Sequence, residues 1–123
     1  MSDKPVLERL QVKHGRRLAT LFVPVEVEQK IGADNKKVPL ADADVVLLFL
    51  ADRSALEKFL PEMKIKMRAN VIFWIAYPKL TSILAGDLNR NVLHNLLPSH
   101  GWDAVSQIAI DSDWSAMRLK STN

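Results

Sequence analysis

Two stretches of this chain are too continuously apolar to be half-exposed strands: Asp44-Val45-Val46-Leu47-Leu48-Phe49-Leu50 and Asn70-Val71-Ile72-Phe73-Trp74-Ile75-Ala76-Tyr77. A strand with one wet face alternates apolar and polar residues. An unbroken run of β-branched and aromatic residues suits a strand covered on both faces, as in a parallel sheet between helices. Between the two runs, Leu56, Phe59, Leu60, Met63 and Met67 recur at helical spacing, and Ser54 with Glu57 has the pattern of a capping box. The unit reads strand, helix, strand, and a crossover of this kind is right-handed. Pro61 falls inside the helix and is expected to kink it or to open a second short one, because an interior proline removes a backbone bond and crowds the preceding turn.

The remaining elements follow from the same periodicities. Leu18 to Val23 is a third apolar run, introduced by Gly15 and stopped by Pro24. A short helix is expected from there to Gly32, although Val25 and Val27 alternate as in a strand. Asp87 is predicted to cap a later helix whose stripe is Leu88, Val92, Leu93, Leu96 and Leu97, closed by Pro98 to Gly101. The last two strands are Val105 to Ile110 and Trp114 to Leu119. Only Asp111-Ser112-Asp113 separates them, which suits an antiparallel hairpin. With no internal repeat or composition shift, residues 1–123 read as a single α/β domain.

Composition removes several classes of function. The 123 residues are 48% hydrophobic and 25% charged, as in an ordinary globular protein. No cysteine is present, which removes disulfides, thiolate metal sites and cysteine nucleophiles and fits a reducing compartment. Met1 to Leu10 carries Asp3, Lys4, Glu8 and Arg9 and so lacks the apolar core of a secretion signal. The longest apolar run, Val45 to Ala51, is far short of the roughly 20 residues of a membrane span. The expected location is cytoplasmic, with no membrane partner. Seventeen Lys and Arg against fourteen Asp and Glu leave a net charge of +3. The basic turn Lys13-His14-Gly15-Arg16-Arg17 and the cluster Lys64, Lys66 and Arg68 could each touch phosphate. Neither is interleaved with aromatics, which leaves nucleic acid the less favoured partner.

A strand and helix pattern that closes with an antiparallel hairpin resembles the latter half of the Rossmann-like methyltransferase fold. More closely, the chain resembles an uncharacterised bacterial domain-of-unknown-function family of that shape. The resemblance rests on Asp44-Val45-Val46-Leu47-Leu48-Phe49, on Trp74-Ile75-Ala76-Tyr77-Pro78-Lys79, on Asp87-Leu88, and on Asp113-Trp114-Ser115-Ala116, and it spans about residues 7–120. Leu80 stands where that family often has a second lysine. The resemblance implies a truncated, methyltransferase-like three-layer sandwich with a mostly parallel five-stranded sheet. The first strand lies beside the Val45 strand, then comes the Ile72 strand, with the final strand inserted antiparallel next to it. It implies no particular reaction.

Methyltransferases of this fold hold S-adenosylmethionine on a glycine-rich turn after the first strand and grip its ribose with an acidic residue ending the next. Here the turn reads Phe22-Val23-Pro24-Val25-Glu26-Val27, without glycine before Gly32, and about ten residues separate Gly32 from the Val45 strand, too few for another strand-helix-strand unit. The expectation is therefore no cofactor of that kind in the usual pose, and a non-catalytic interaction or regulatory module. Its partner would be an unidentified protein or a small anionic ligand, and the Leu18 strand, at a sheet edge, allows a homodimer.

In open α/β sheets, ligands gather at the carboxyl edge of the parallel strands. Pro24 and Glu26 reach that edge here, as do the candidate ligand residues Asp52, Arg53, Tyr77, Lys79, Asp111, Asp113, Trp114 and Ser115. In one reading, a small-ligand binder or an unusual enzyme, Arg53 and Lys79 supply charge for an anionic ligand and Trp114 a planar face. In the other, favoured by the sequence, the same cations pair with the aspartates and Trp114 covers the sheet end. Ser54 reads as a helix cap rather than a nucleophile. His14, His94 and His100 have no metal-ligand spacing and read as solvated, so neither a catalytic residue nor a metal site is expected.

Overall fold

The computed structural model describes residues 5–13, 15–31 and 38–122. His14 and Gly32, two positions considered above, lie outside the described residues. The chain order is α1 (Val6–Arg9), β1 (Leu18–Leu21), α2 (Val25–Ile31), β2 (Val45–Phe49), α3 (Arg53–Lys66), β3 (Ile72–Pro78), α4 (Arg90–Leu96), β4 (Trp102–Ala109) and β5 (Trp114–Ser121). Short 3-10 turns at Leu40–Asp42 and Leu97–His100 precede β2 and β4. The sheet runs β1-β2-β3-β5-β4, with β1, β2 and β3 parallel and β5 antiparallel to both its neighbours.

The apolar runs become the two strands that are covered on both faces. All five residues of β2 are buried, and so are all of β3 after Ile72. On one face, Val46, Leu48, Phe73, Ile75, Met117 and Leu119 pack against Leu56, Leu60 and Met63 of α3 and Leu93 of α4. On the other, Val45, Leu47, Trp74, Ala76 and Trp114 pack against Leu10, at the end of α1, and Val27 and Ile31 of α2. The Trp74 indole nitrogen donates to the Leu10 carbonyl at 3.0 Å, tying the amino-terminal segment under the sheet. The stretch around Val25 and Val27 is helical, with Val27 and Ile31 turned inward.

Three local expectations are corrected. The cap of α3 is Asp52, whose carboxylate accepts from the Ala55 amide at 2.8 Å. Ser54 lies inside the helix, and Glu57 faces Arg53 one turn away rather than closing a box. Asn89, not Asp87, caps α4, accepting from the amides of Asn91 and Val92. Finally, α3 is one helix through Pro61. Pro61 and Glu57, whose carbonyl would have received the missing amide proton, are both exposed, so water can serve that carbonyl.

Asp52→Ala is expected to lower stability by about 1 kcal/mol and Ser54→Ala to change it by less than about 0.5 kcal/mol, read from urea unfolding midpoints. Equal losses would return the cap to Ser54.

Candidate functional site

Parallel strands β1, β2 and β3 end together, and β4, which runs in the same direction, ends beside them. The loops that follow therefore converge at one edge of the sheet. Four aspartates lie there, and each accepts a hydrogen bond that holds the chain in place. Asp52 caps α3 from within, while Asp87, 34 residues away in sequence, accepts from the Arg53 amide at 2.9 Å. Asp111 accepts from the amides of Asp113 and Trp114, both at 2.8 Å, which shapes the β4–β5 turn. Asp113 accepts from the Ser82 hydroxyl at 2.7 Å, and its carbonyl accepts from the Lys79 amide at 2.8 Å, so the loop after β3 is fastened to the hairpin. That loop presents Leu80, Ile83 and Leu84 to solvent, with Ile83 98% exposed.

The strand register brings the candidate residues together in pairs, Tyr77 with Ser115 and Pro78 with Trp114. The sheet then divides them. Tyr77 faces the α3 and α4 layer and is buried, as is Ser115, whereas Trp114 belongs to the opposite core and meets Phe49 edge-on with ring centroids 5.2 Å apart. Trp114 is only 7% exposed, so its ring is a lid over the sheet end and not an open face for a planar ligand. Arg53 is half exposed and its guanidinium lies 3.8 Å from the Glu57 carboxylate, an i,i+4 surface pair of small energetic weight. Pro24 and Glu26 stand at the start of α2, with Glu26 exposed.

Tyr77 is the unusual member of the set. Its hydroxyl is buried without a hydrogen bond of good geometry. Burial pushes the phenol pKa above its ordinary 10.0, and the Arg90 charge and the nearby Ser115 hydroxyl offset this only in part. The group is thus a neutral phenol at physiological pH and cannot serve as a base there.

At the opposite edge, Asp44 accepts from the Arg17 amide at 2.7 Å and pairs with the Arg17 and Arg68 guanidinium groups. The Arg17 amide holds its carboxyl below the ordinary value of 3.8, against the effect of burial, and the charges of Arg68 and Arg17 add to the lowering. This pairing accounts for part of the basic turn before β1; Arg16 donates to the Gln11 carbonyl. Beside Asp44 a half-open groove of about 780 Å³ runs between the end of α3, the 69–72 segment and the hairpin strands. Lys64 and Arg68, singled out from the sequence, line it. Arg118 and Lys120 line it too and were missed, because a cation near the end of an apolar strand carries no local signal of what it faces. His94 is exposed on α4, His100 sits in the turn after it, and among the described residues no group of acids and histidines could hold a metal ion.

No protein-family model and no curated protein matches the sequence. Among solved structures, the chain is similar to a ribosomal protein L11 methylase from Lactobacillus delbrueckii subsp. bulgaricus, at 9% identity and a TM-score of 0.50 over 92% of this chain. It is also similar to LepI in complex with SAM, at 15% identity, a TM-score of 0.51 and 94% coverage. A LepI variant with SAH and a substrate analogue gives 16%, 0.50 and 94%. The chain spans 61% of the methylase and 38% of each LepI chain, under two-thirds in every case. The fold is methyltransferase-like, as expected, with a mostly parallel five-stranded sheet whose last strand is antiparallel. Among the described residues no helix is long and apolar enough to cross a membrane.

Tyr77→Phe removes a buried hydroxyl that lacks a partner and should leave stability unchanged or raise it by about 1 kcal/mol in urea unfolding. A loss of more than about 1 kcal/mol would mean that the hydroxyl makes a bond in solution.

Proposed function

We propose that this chain is a methyltransferase-like domain that works by binding, without catalysis and without S-adenosylmethionine in its usual pose, and that it belongs with the uncharacterised bacterial family it resembles in sequence. One observation carries the reading: the turn after β1 is built on Phe22. Its backbone takes the left-handed conformation, φ +60°, that a glycine would adopt without strain, yet it carries an aromatic side chain. The ring packs on Phe59 of α3 with centroids 4.7 Å apart. A backbone approach by a ligand, which is what glycines at this turn permit, would meet that ring. The residues therefore do not fit the cofactor as methyltransferases of this fold hold it.

Two further features support a binding role. β1 is at the sheet edge, and among the described residues no strand lies on its other side to bring an acidic residue to the ribose. The carboxylates of the carboxyl edge are engaged with backbone amides and the Ser82 hydroxyl, in keeping with structural rather than chemical duty. β1 itself, four residues long with an unpaired side, is a template for another strand, and the partner this reading favours is a second copy of the chain.

Calorimetric titration with S-adenosylmethionine and S-adenosylhomocysteine should give no saturable heat at micromolar concentrations. Micromolar affinity for either would overturn the reading. Light scattering at high protein concentration should return the mass of a dimer, and a monomer mass would remove the β1-mediated assembly.

A further inference from the structure

Among the described residues that line the groove at the amino-terminal edge of the strands, four are cationic, Lys64, Arg68, Arg118 and Lys120, and none is a carboxylate. Two of the four have structural work. Lys64 donates to the Gly101 carbonyl at 2.8 Å and lies 4.9 Å from the centre of the Trp102 ring, and with Lys66 it complements the carbonyl end of α3. Arg68 pairs with Asp44. Arg118 and Lys120 have neither role. They sit two residues apart on β5 and so project to the same side of the sheet. Arg118 is half buried opposite Ser106, and Lys120 is exposed opposite Asp103 on β4; neither makes an ion pair within the described residues. Arg118 and Lys120, side by side on β5, repel one another, and a ligand carrying several negative charges relieves that repulsion.

We propose that this groove, which passes around the ends of the strands, is a binding site for an oligophosphate ligand, held by Arg118 and Lys120 on the face of Trp114 and Ala116 with Arg68 and Lys64 lining it from the α3 side. Its volume lies in the range of small-ligand clefts, roughly 300–1,000 Å³, which suits a nucleoside polyphosphate or a few linked nucleotides of a strand. The aromatic in the lining offers no stacking platform. Trp102 is buried, with Phe73 at 5.1 Å and the Lys64 ammonium over its ring. Recognition therefore runs through the phosphates and not through a base, and the sequence of a bound strand would matter little. Asn70, exposed in the turn before β3, adds a polar group to the rim. The overall charge of the chain, with a pI near 9.3, favours the encounter.

The test uses the full chain at low ionic strength with three probes: inorganic triphosphate, a nucleoside triphosphate and a short fluorescent oligothymidylate. Arg118→Gln with Lys120→Gln should weaken binding by about tenfold or more. Lys58→Gln, which removes one exposed charge elsewhere on α3, should leave it within about twofold. Arg118→Lys, which keeps the charge, should retain most of the affinity and separates loss of contact from loss of fold. For the oligonucleotide, the double variant should lower the slope of log affinity against log salt by about 1 to 2. Tighter binding of the strand than of the triphosphates would assign the groove to nucleic acid, and the reverse to a free nucleotide. No binding of any probe, or wild-type affinity in a folded double variant, would overturn the proposal.

Discussion

The structure depends on β2 and β3 having no wet face. Val45–Phe49 is buried along its whole length, and the strand beside it is buried from Phe73 onward, so a helical layer is required on each side. Those layers are unequal. α3, with fourteen residues, covers one face together with α4, while the other is covered by the short helices α1 and α2. A four-residue helix has little cooperativity of its own. It is the Trp74 indole, donating to the Leu10 carbonyl from within the sheet, that fixes where the thin layer lies. A tryptophan in the middle of an apolar strand thus does more than fill volume: it supplies a buried donor that only one arrangement of the amino-terminal segment satisfies.

The strands and the hairpin were legible because each is set by a rule acting on a pattern of many residues, whereas the order of the strands in the sheet came from the family resemblance. Continuous apolar runs mark the doubly buried strands, and a connection of a few residues forces β4 and β5 to be antiparallel. The helix caps were not legible in the same way. Asp52 and Ser54 are both good capping residues, and only the point where the chain leaves β2 decides between them. Asp87 has the right chemistry to cap the helix that follows it, yet it reaches back to the Arg53 amide at the other helix. No local spacing encodes a contact across 34 residues. Trp114 was similarly ambiguous: alternation says that it shares a face with Ala116, but whether that face is wet at the sheet end depends on Phe49 beside it.

The carboxyl edge of a sheet of this kind is where ligands ordinarily bind, and here its polar groups stabilise loops. The two facts are connected. The loops at this edge carry backbone amides and a hydroxyl that need acceptors. Asp52, Asp87, Asp111 and Asp113 then satisfy amides and a hydroxyl that would otherwise depend on water. The cost of that arrangement is chemical. A carboxylate that fastens a helix amide or a hydroxyl is committed to that bond, and using it for a reaction would release the loop it holds.

The amino-terminal edge has the opposite character. In a larger α/β protein, the charges there are screened by neighbouring carboxylates, and at Asp44 that pattern survives, with Arg17 and Arg68 gathered on one acid. On the hairpin Lys120 lies opposite Asp103, whereas Arg118 lies opposite Ser106. β4 is an edge strand whose outward residues are small or neutral from Ala104 to Ala109, and the irregularity between Ala104 and Ser106 leaves Val105 outside the regular register of pairs with β5. The side chains beside Arg118 therefore include no acid on that stretch of β4. A half-buried cation on a strand, without an ion pair among the described residues, gains little for the fold and is costly to keep desolvated. Stability alone gives no reason for arginine at that position, where an apolar residue would extend the core at lower cost, and binding of an anion supplies one.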